Sequence, residues 1–215
     1  MDKMSMDQIY QNVIHAYDNI AQKYTDAYAE NDDMDSKYLQ EFLKRINGKK
    51  ILDMGCGTGV NTQYIAGYDL NVIGVDASEG MLKVAHKNFP NLTFVKSDIL
   101  NTPFEDNSFD GIVLAYVINH FSMDGLEMLR HEIDRVLKDN GILFISAHIG
   151  DKEELVKDPL DDKIEIYYNF LNIEILDKVF SKYKREYYIK RKSFGAEEFL
   201  CDKMFLIYRK NKTTL

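Results

Sequence analysis

The sequence predicts an α/β fold built on a mostly parallel sheet, and three observations lead there. From Lys50 onward, short continuous apolar runs occur at Ile51 to Met54, Val72 to Val75, Leu92 to Val95, Phe109 to Ala115 and Ile142 to Ala147. Runs of this kind suit strands buried on both faces. Between them lie stretches of helical periodicity, Thr58 to Ala66, Ser78 to Asn88 and Asp124 to Leu137, so that crossovers place helices on both sides of the sheet. The first run also leads into ILDMGCGTG (51–59), where Gly55, Gly57 and Gly59 crowd a strand-to-helix turn. Three glycines in five residues weaken regular structure unless the backbone turns sharply or something approaches it closely.

The elements follow in order. Ile9, Val13, Ile14, Tyr17, Ile20, Ala21 and Tyr24 are spaced as one helical face over Met6 to Ala29, and a second helix is expected from Ser36 to Ile46. Both precede the first strand and form an N-terminal helical cap over residues 1–46. Ser78 followed by Glu79 supplies a capping side chain and a favourable first-turn charge. Leu126, Leu129, Ile133 and Val136 make one apolar stripe, and Asp139-Asn140-Gly141 stops that helix before the next strand. After Gly150 the regularity weakens. Asp151 to Asp162 is acidic and reads as loop, Lys163 to Phe170 alternates weakly, and Ile173 to Tyr183 reads as helix. Tyr187 to Lys192 and Met204 to Arg209 are expected to close the sheet as an antiparallel pair.

A chain of 215 residues with 45% hydrophobic and 29% charged residues has the composition of a folded globular protein. No repeat or Pro/Ser-rich linker divides it, so a single domain over 1–215 is expected, with a lid-like insertion at 148–170. The longest apolar run, Gly111 to Ile118, falls far short of a bilayer span, and the first thirty residues hold no signal-peptide core. Cys56 and Cys201 stand far apart without a CxxC pair or a neighbouring His cluster, against a disulfide framework or a zinc site. A cytoplasmic protein with no membrane partner and no bound metal is expected. A net charge of −8 disfavours a long nucleic acid as partner. From Lys182 onward, however, ten Lys and Arg face four Asp and Glu. That surplus reads as a solvated strand with its flanks in preference to a phosphate-binding patch.

In an open parallel sheet ligands bind beyond the carboxyl ends of the strands, which is where Asp53 and the glycines fall. Asp76 closes the second run 23 positions after Asp53, the spacing at which a carboxylate accepts two ribose hydroxyls. Asp98 ends the third, placed to hold an exocyclic amine of a base whose face rests on Ile99. Each aspartate alone is also readable as a cap or turn residue. Val60 stands where the dinucleotide pattern GxGxxG needs glycine, and no GxxxxGK[ST] loop occurs. These two departures count against a nicotinamide-dependent oxidoreductase and a triphosphate-binding loop.

Together, ILDMGCGTG, VIGVDASEGML, VKSDILNTPFEDNSFDGIVLAYVINHF and LKDNGILFISAH resemble the successive motifs of the class I S-adenosylmethionine-dependent methyltransferases. The resemblance implies a Rossmann-like seven-stranded sheet with helices on both faces and an antiparallel last strand. It places the methionine part of S-adenosyl-L-methionine along Gly55, Cys56, Gly57 and Gly59, with Asp53 near its amino group. Asp76 would hold the ribose, Ala77 and Met81 would border the adenine, and Asp98 with Ile99 would fix its edge. Ala115 and Tyr116 would floor the site.

YDNIAQKY is similar to the entry helix of members acting on small molecules, where Tyr17 and Tyr24 would close over the cofactor; simple amphipathic packing explains the same two residues. His120, just past the fourth strand, is the candidate base, or a hydrogen-bonded structural histidine. His148 and the glutamates Glu197 and Glu198 are weaker candidates. The Asn-Pro-Pro-Tyr tetrapeptide of nucleic-acid amino-methylating enzymes is absent, so a small-molecule acceptor is expected. Acceptor choice would reside in 1–46, 148–170 and 193–201, where Tyr167, Tyr168 and Phe170 line a pocket or pack beneath a lid. A noncatalytic cofactor-binding module is the alternative reading.

Overall fold

The structure, a computed structural model, describes residues 5–28, 35–193 and 201–212. In chain order it contains α1 (Met6–Tyr28), α2 (Ser36–Leu43), β1 (Lys50–Met54), α3 (Val60–Ala66), β2 (Asn71–Asp76), α4 (Glu79–Asn88), β3 (Thr93–Lys96) and β4 (Phe109–Ala115). A single 3-10 turn (Ile118–His120) leads to α5 (Met123–Val136) and β5 (Leu137–His148). Then follow β6 (Glu153–Asp158), β7 (Asp161–Asn169), α6 (Ile173–Val179), β8 (Tyr183–Arg191) and β9 (Lys203–Lys210). Seven strands form one sheet in the order β3-β2-β1-β4-β5-β9-β8. β1 to β5 are mutually parallel where they pair, and β9 runs antiparallel between β5 and β8.

Strand alternation sorts the core onto the two faces of this sheet. Ile51, Val113, Ile142 and Phe144 pack with Tyr38, Leu39 and Phe42 of α2 and Ile65 of α3. Their chain neighbours Leu52, Ile112, Leu143 and Ile145 pack with Leu126, Leu129 and Ile133 of α5 and Leu176 of α6. Each such side chain withdrawn from water contributes roughly 1.5–3 kcal/mol. α1 begins with a reciprocal cap: Ser5 N donates to Gln8 Oε1 at 2.9 Å and Gln8 N to Ser5 Oγ at 3.2 Å. As the sequence suggests, Ser78 caps α4 by accepting from Met81 N at 3.1 Å.

Several boundaries differ from expectation. α5 ends at Val136 and the chain passes directly into β5, whose first residue, Leu137, pairs with Phe109 before a bulge. Asn140, at a φ of 61°, is a kink inside that strand and not a helix stop. Its left-handed backbone is one that asparagine tolerates. α6 is shorter than read, and Tyr183 to Glu186 extend β8 instead. The acidic segment read as loop holds β6, which pairs antiparallel with β7 as a separate hairpin. Its turn is built by Asp158, whose Oδ1 accepts from Leu160 N at 2.8 Å and Asp161 N at 3.2 Å around Pro159. Val156 then faces Ile166 across the pair. Charge on the outer face of β6 hides this period-2 pattern in the sequence.

Candidate functional site

The carboxyl ends of β1, β2, β4 and β5 and the start of β9 open on one cavity of about 870 Å3. Ligand pockets span roughly 300–1,000 Å3, so this one lies at the large end of that range. The glycine turn forms its wall beyond β1. Gly57 has a φ of 52° and nothing within 4 Å of the Cβ position, so its backbone faces open space that a side chain would fill. Gly59, at a φ of 84°, is glycine for a different reason: a Cβ there would meet Phe94 at 2.6 Å.

Asp76, at the end of β2, stands on the cavity wall. Its Oδ2 accepts from Gly57 N and its Oδ1 from Ser78 N, both at 2.8 Å. These bonds fix the carboxylate between turn and helix, and each oxygen keeps a further lone pair for a hydroxyl. Burial pushes its carboxyl above the ordinary range, opposed by the backbone N–H groups of Ser78 and Gly57. Ala77, Met81 and Ile99 continue the same wall.

α1 packs on α4, β7 and the 3-10 turn and roofs the cavity with Tyr10, Tyr17 and Tyr24. It is latched beside Asp76, because Asp18 Oδ1 accepts from Ser78 Oγ at 2.7 Å and Gly80 N at 2.8 Å. A Cβ on Gly80 would lie 2.6 Å from the Asp18 carbonyl oxygen. Lys23 joins α1 to the β6-β7 hairpin through Asp161 at 2.7 Å.

His120 lines the cavity and is buried. Its Nδ1 lies 3.1 Å from the carbonyl oxygen of Tyr167, an acceptor only, so Nδ1 carries the proton and Nε2 is left as acceptor. Tyr17 Oη lies 2.9 Å from Nε2 and donates to it. Burial lowers the His120 pKa from 6.5 to about 4, against the opposing bond to Tyr167, so the ring is neutral at pH 7. Burial likewise pushes the Tyr17 hydroxyl well up, keeping it a donor. Asn119 anchors the segment: its Nδ2 donates to the carbonyl oxygens of His148 (3.0 Å) and Asn169 (2.7 Å), while its Oδ1 accepts from His148 N (2.8 Å).

Of the residues expected at the site, Tyr17, Tyr24, Gly55, Cys56, Gly57, Asp76, Ala77, Met81, Ile99, Ala115, Tyr116 and His120 are brought together around this cavity. Asp53, Gly59 and Asp98 are not on its lining. The Asp53 side chain turns into the protein, where Thr62 Oγ1 donates to Oδ2 at 2.6 Å and Oδ1 is buried with no partner among the described residues. Burial pushes its carboxyl up to about 7, partly offset by Thr62. Asp98, itself exposed, accepts the Tyr10 hydroxyl at 2.7 Å. His148 and Tyr168 are on the wall, whereas Glu197 and Glu198 lie outside the described residues.

Sequence reasoning missed Tyr10, although it precedes Tyr17 and Tyr24 by the same seven-residue step. It also missed Asp35, Arg191 and Lys203, which form the far end of the cavity. There the Tyr116 backbone adopts a φ of 59°, a conformation that is costly for a bulky residue. Its ring stacks on His148 at 4.9 Å, and its hydroxyl donates to Asp35 Oδ2.

The family description "Methyltransferase domain" matches residues 52–145. A demethylmenaquinone methyltransferase of Staphylococcus saprophyticus is 29% identical over 86% of this chain and 78% of its own length. One of Thermotoga maritima is 37% identical over 52% of this chain and 50% of its own. The chain thus spans between half and four fifths of these relatives. A solved 1,6-didemethyltoxoflavin-N1-methyltransferase of Burkholderia thailandensis, with bound 1,6-didemethyltoxoflavin and S-adenosylhomocysteine, superposes with a TM-score of 0.77. It covers 99% of this chain and 93% of that one at 16% identity, a likeness of fold. A SAM-dependent methyltransferase of Methanosarcina mazei gives 0.71 over 79% and 96%, also at 16% identity.

Proposed function

Because this chain belongs to the class I S-adenosylmethionine-dependent methyltransferases, we propose that its cavity holds that cofactor along the ends of β1 to β4 and directs the methyl group to a small-molecule acceptor beside His120. The residues present fit the cofactor. Asp76 offers a fixed carboxylate to two ribose hydroxyls, Gly57 leaves room for close backbone approach, and Ile99 with Met81 gives an apolar slot for a flat base. Asp53 is held inside the protein by Thr62, and Asp98 holds the hydroxyl of Tyr10, which lines the cavity. The cofactor supplies a methyl carbon on a sulfonium sulfur, already electrophilic.

What the protein adds is alignment and a proton acceptor. Proximity and orientation alone can lower a barrier by about 7–11 kcal/mol, so no covalent intermediate with the protein is needed. Tyr17 presents its hydroxyl oxygen to the cavity while giving its proton to His120 Nε2. A base with a pKa of about 4 cannot strip a free hydroxyl. It takes the proton from an acceptor oxygen, or from a weakly basic nitrogen, as that atom gains positive charge during methyl transfer: the acceptor gives its proton to the Tyr17 oxygen while Tyr17 gives its own to His120 Nε2. The Tyr17–His120 bond, in the cavity that also holds Asp76, is the observation that carries this reading. Incubation with methyl-tritiated cofactor and fractionated metabolite extract tests it: label should move to a small molecule, and His120→Asn should abolish most of that transfer. Cofactor binding with no labelled product from any fraction would instead support a noncatalytic module.

A further inference from the structure

Tyr10, the roof residue that sequence reasoning missed, is held by more than packing. Its ring lies against Phe121, with centroids 5.7 Å apart, and its hydroxyl donates to Asp98 Oδ1 at 2.7 Å. Leu100 N donates to the same oxygen at 2.8 Å, so both lone pairs of Oδ1 are in use. The Ile99 N–H, one residue on from Asp98, makes no main-chain hydrogen bond among the described residues. It acts on the Tyr10 oxygen instead. Burial pushes that hydroxyl's pKa well up, Asp98 adds to the rise through its hydrogen bond and its charge, and the Ile99 N–H opposes them. The charge of Asp76 also reaches the hydroxyl and raises its pKa. One oxygen thus gives a proton to Asp98 and meets a donor at Ile99, in the cavity that Ile99 and Met81 also line.

This pair of contacts has a chemical counterpart. Adenine sets an N6–H donor beside an N1 acceptor on its hydrogen-bonding edge, and a base is read through that edge. A carboxylate oxygen followed by a backbone N–H is the complement of the edge. A phenolic hydroxyl, donor and acceptor in one atom, satisfies the same two groups.

We propose that Tyr10 competes with the adenine of the cofactor for the edge made by Asp98 and Ile99, and so sets the affinity for the cofactor. This inference rests on the methyltransferase reading and adds to it a residue that works against binding. Asp98 is exposed and is not on the cavity lining, whereas Tyr10, bonded to it, is. A base in the slot of Ile99 and Met81 gains Asp98 Oδ1 only when the hydroxyl leaves. That departure is local. Tyr10 is half-buried, so one rotamer change carries its hydroxyl away. The bonds from Ser78 and Gly80 to Asp18, about two turns further along α1, stay closed.

Tyr10→Phe keeps the ring against Phe121 and removes only the hydroxyl. In calorimetry the variant should bind S-adenosylhomocysteine about ten-fold tighter than wild type or better, the worth of one hydrogen bond to a charged group. Without ligand the same loss should lower its melting temperature, an opposite sign that marks a competitor. Asp98→Ala removes the contested group, and in that background Tyr10→Phe should change the affinity by less than about two-fold. An unchanged affinity for Tyr10→Phe, as when the base takes the other Asp98 oxygen, overturns the inference. So does weaker binding, which would make the hydroxyl a contact of the cofactor, or an equal gain in both backgrounds, which would come from a looser roof helix. Failure of the wild type to bind S-adenosylhomocysteine at all would remove the methyltransferase reading and this inference with it, a result distinct from a variant that binds no tighter.

Discussion

The Tyr17 hydroxyl, on the first helix, donates to His120 Nε2 across a separation of 103 residues, closing the roof of the cavity onto its floor at 2.9 Å. The carbonyl oxygen of Tyr167 holds the opposite ring nitrogen, so the imidazole has one tautomer and one orientation.

His120→Asn and Tyr17→Phe are therefore expected to lower kcat by roughly 10²–10⁴-fold, the range of general-base catalysis, with little change in cofactor affinity. In the wild type the acid limb of kcat should fall near pH 4, where His120 becomes protonated, and not near 6.5. Steady-state rates from pH 3.5 to 8, with cofactor titrations alongside, check both statements.

Asp76→Ala removes the acceptor for two hydroxyls and also the clamp on Gly57 N and Ser78 N. Each hydrogen bond to a charged group is worth about 1.5–3 kcal/mol, so the Kd for S-adenosylmethionine should rise about 100-fold or more by calorimetry. Asp76→Asn, which keeps the shape but loses the charge, should fall in between.

Asp53 gives a stability signature that does not involve catalysis. Its folded pKa is raised from 3.8 to about 7, so the folded chain keeps a proton that the unfolded chain releases. Its contribution is therefore fully present below about pH 4 and lost as pH rises through 7. The shift corresponds to on the order of a few kcal/mol. Asp53→Asn should flatten the fall in melting temperature between pH 5 and pH 8, read by thermal unfolding of both proteins in the same buffers.

Asn119→Ala leaves the carbonyl oxygens of His148 and Asn169 and the His148 N–H without the amide that serves them. A destabilisation of about 3 kcal/mol is expected from urea unfolding. Asn119→Asp should not rescue it, because a carboxylate repels the two carbonyl oxygens.

The parallel half of the sheet was legible because its strands are buried on both faces and are punctuated by Ser78, the glycine turn and the prolines. Strand ends revealed at which edge Asp53, Asp76 and Asp98 stand, but not which way each points. Of the three only Asp76 lines the cavity; Asp53 is drawn inward by Thr62, and Asp98, itself exposed, holds the Tyr10 hydroxyl. β6 was missed because Glu153 and Lys157 dominate its outer face. Arg191 and Lys203 could be counted as charge in the sequence but not placed, since their meeting depends on the register of two strands whose pairing is not local.

Strand order also bears on how the protein is made. β9 is later in the chain than β8 yet lies between it and β5, so β8 has no neighbour to join until β9 has been synthesised. The segments up to β5 supply Asp35, Asp76, Tyr116 and His148 of the cavity wall early, while Arg191 and Lys203 enter it only with β8 and β9. Domains fold as units while synthesis runs at about 5–20 residues per second. A nascent chain paused before β9 therefore lacks Lys203 and the strand that holds Arg191 in the wall.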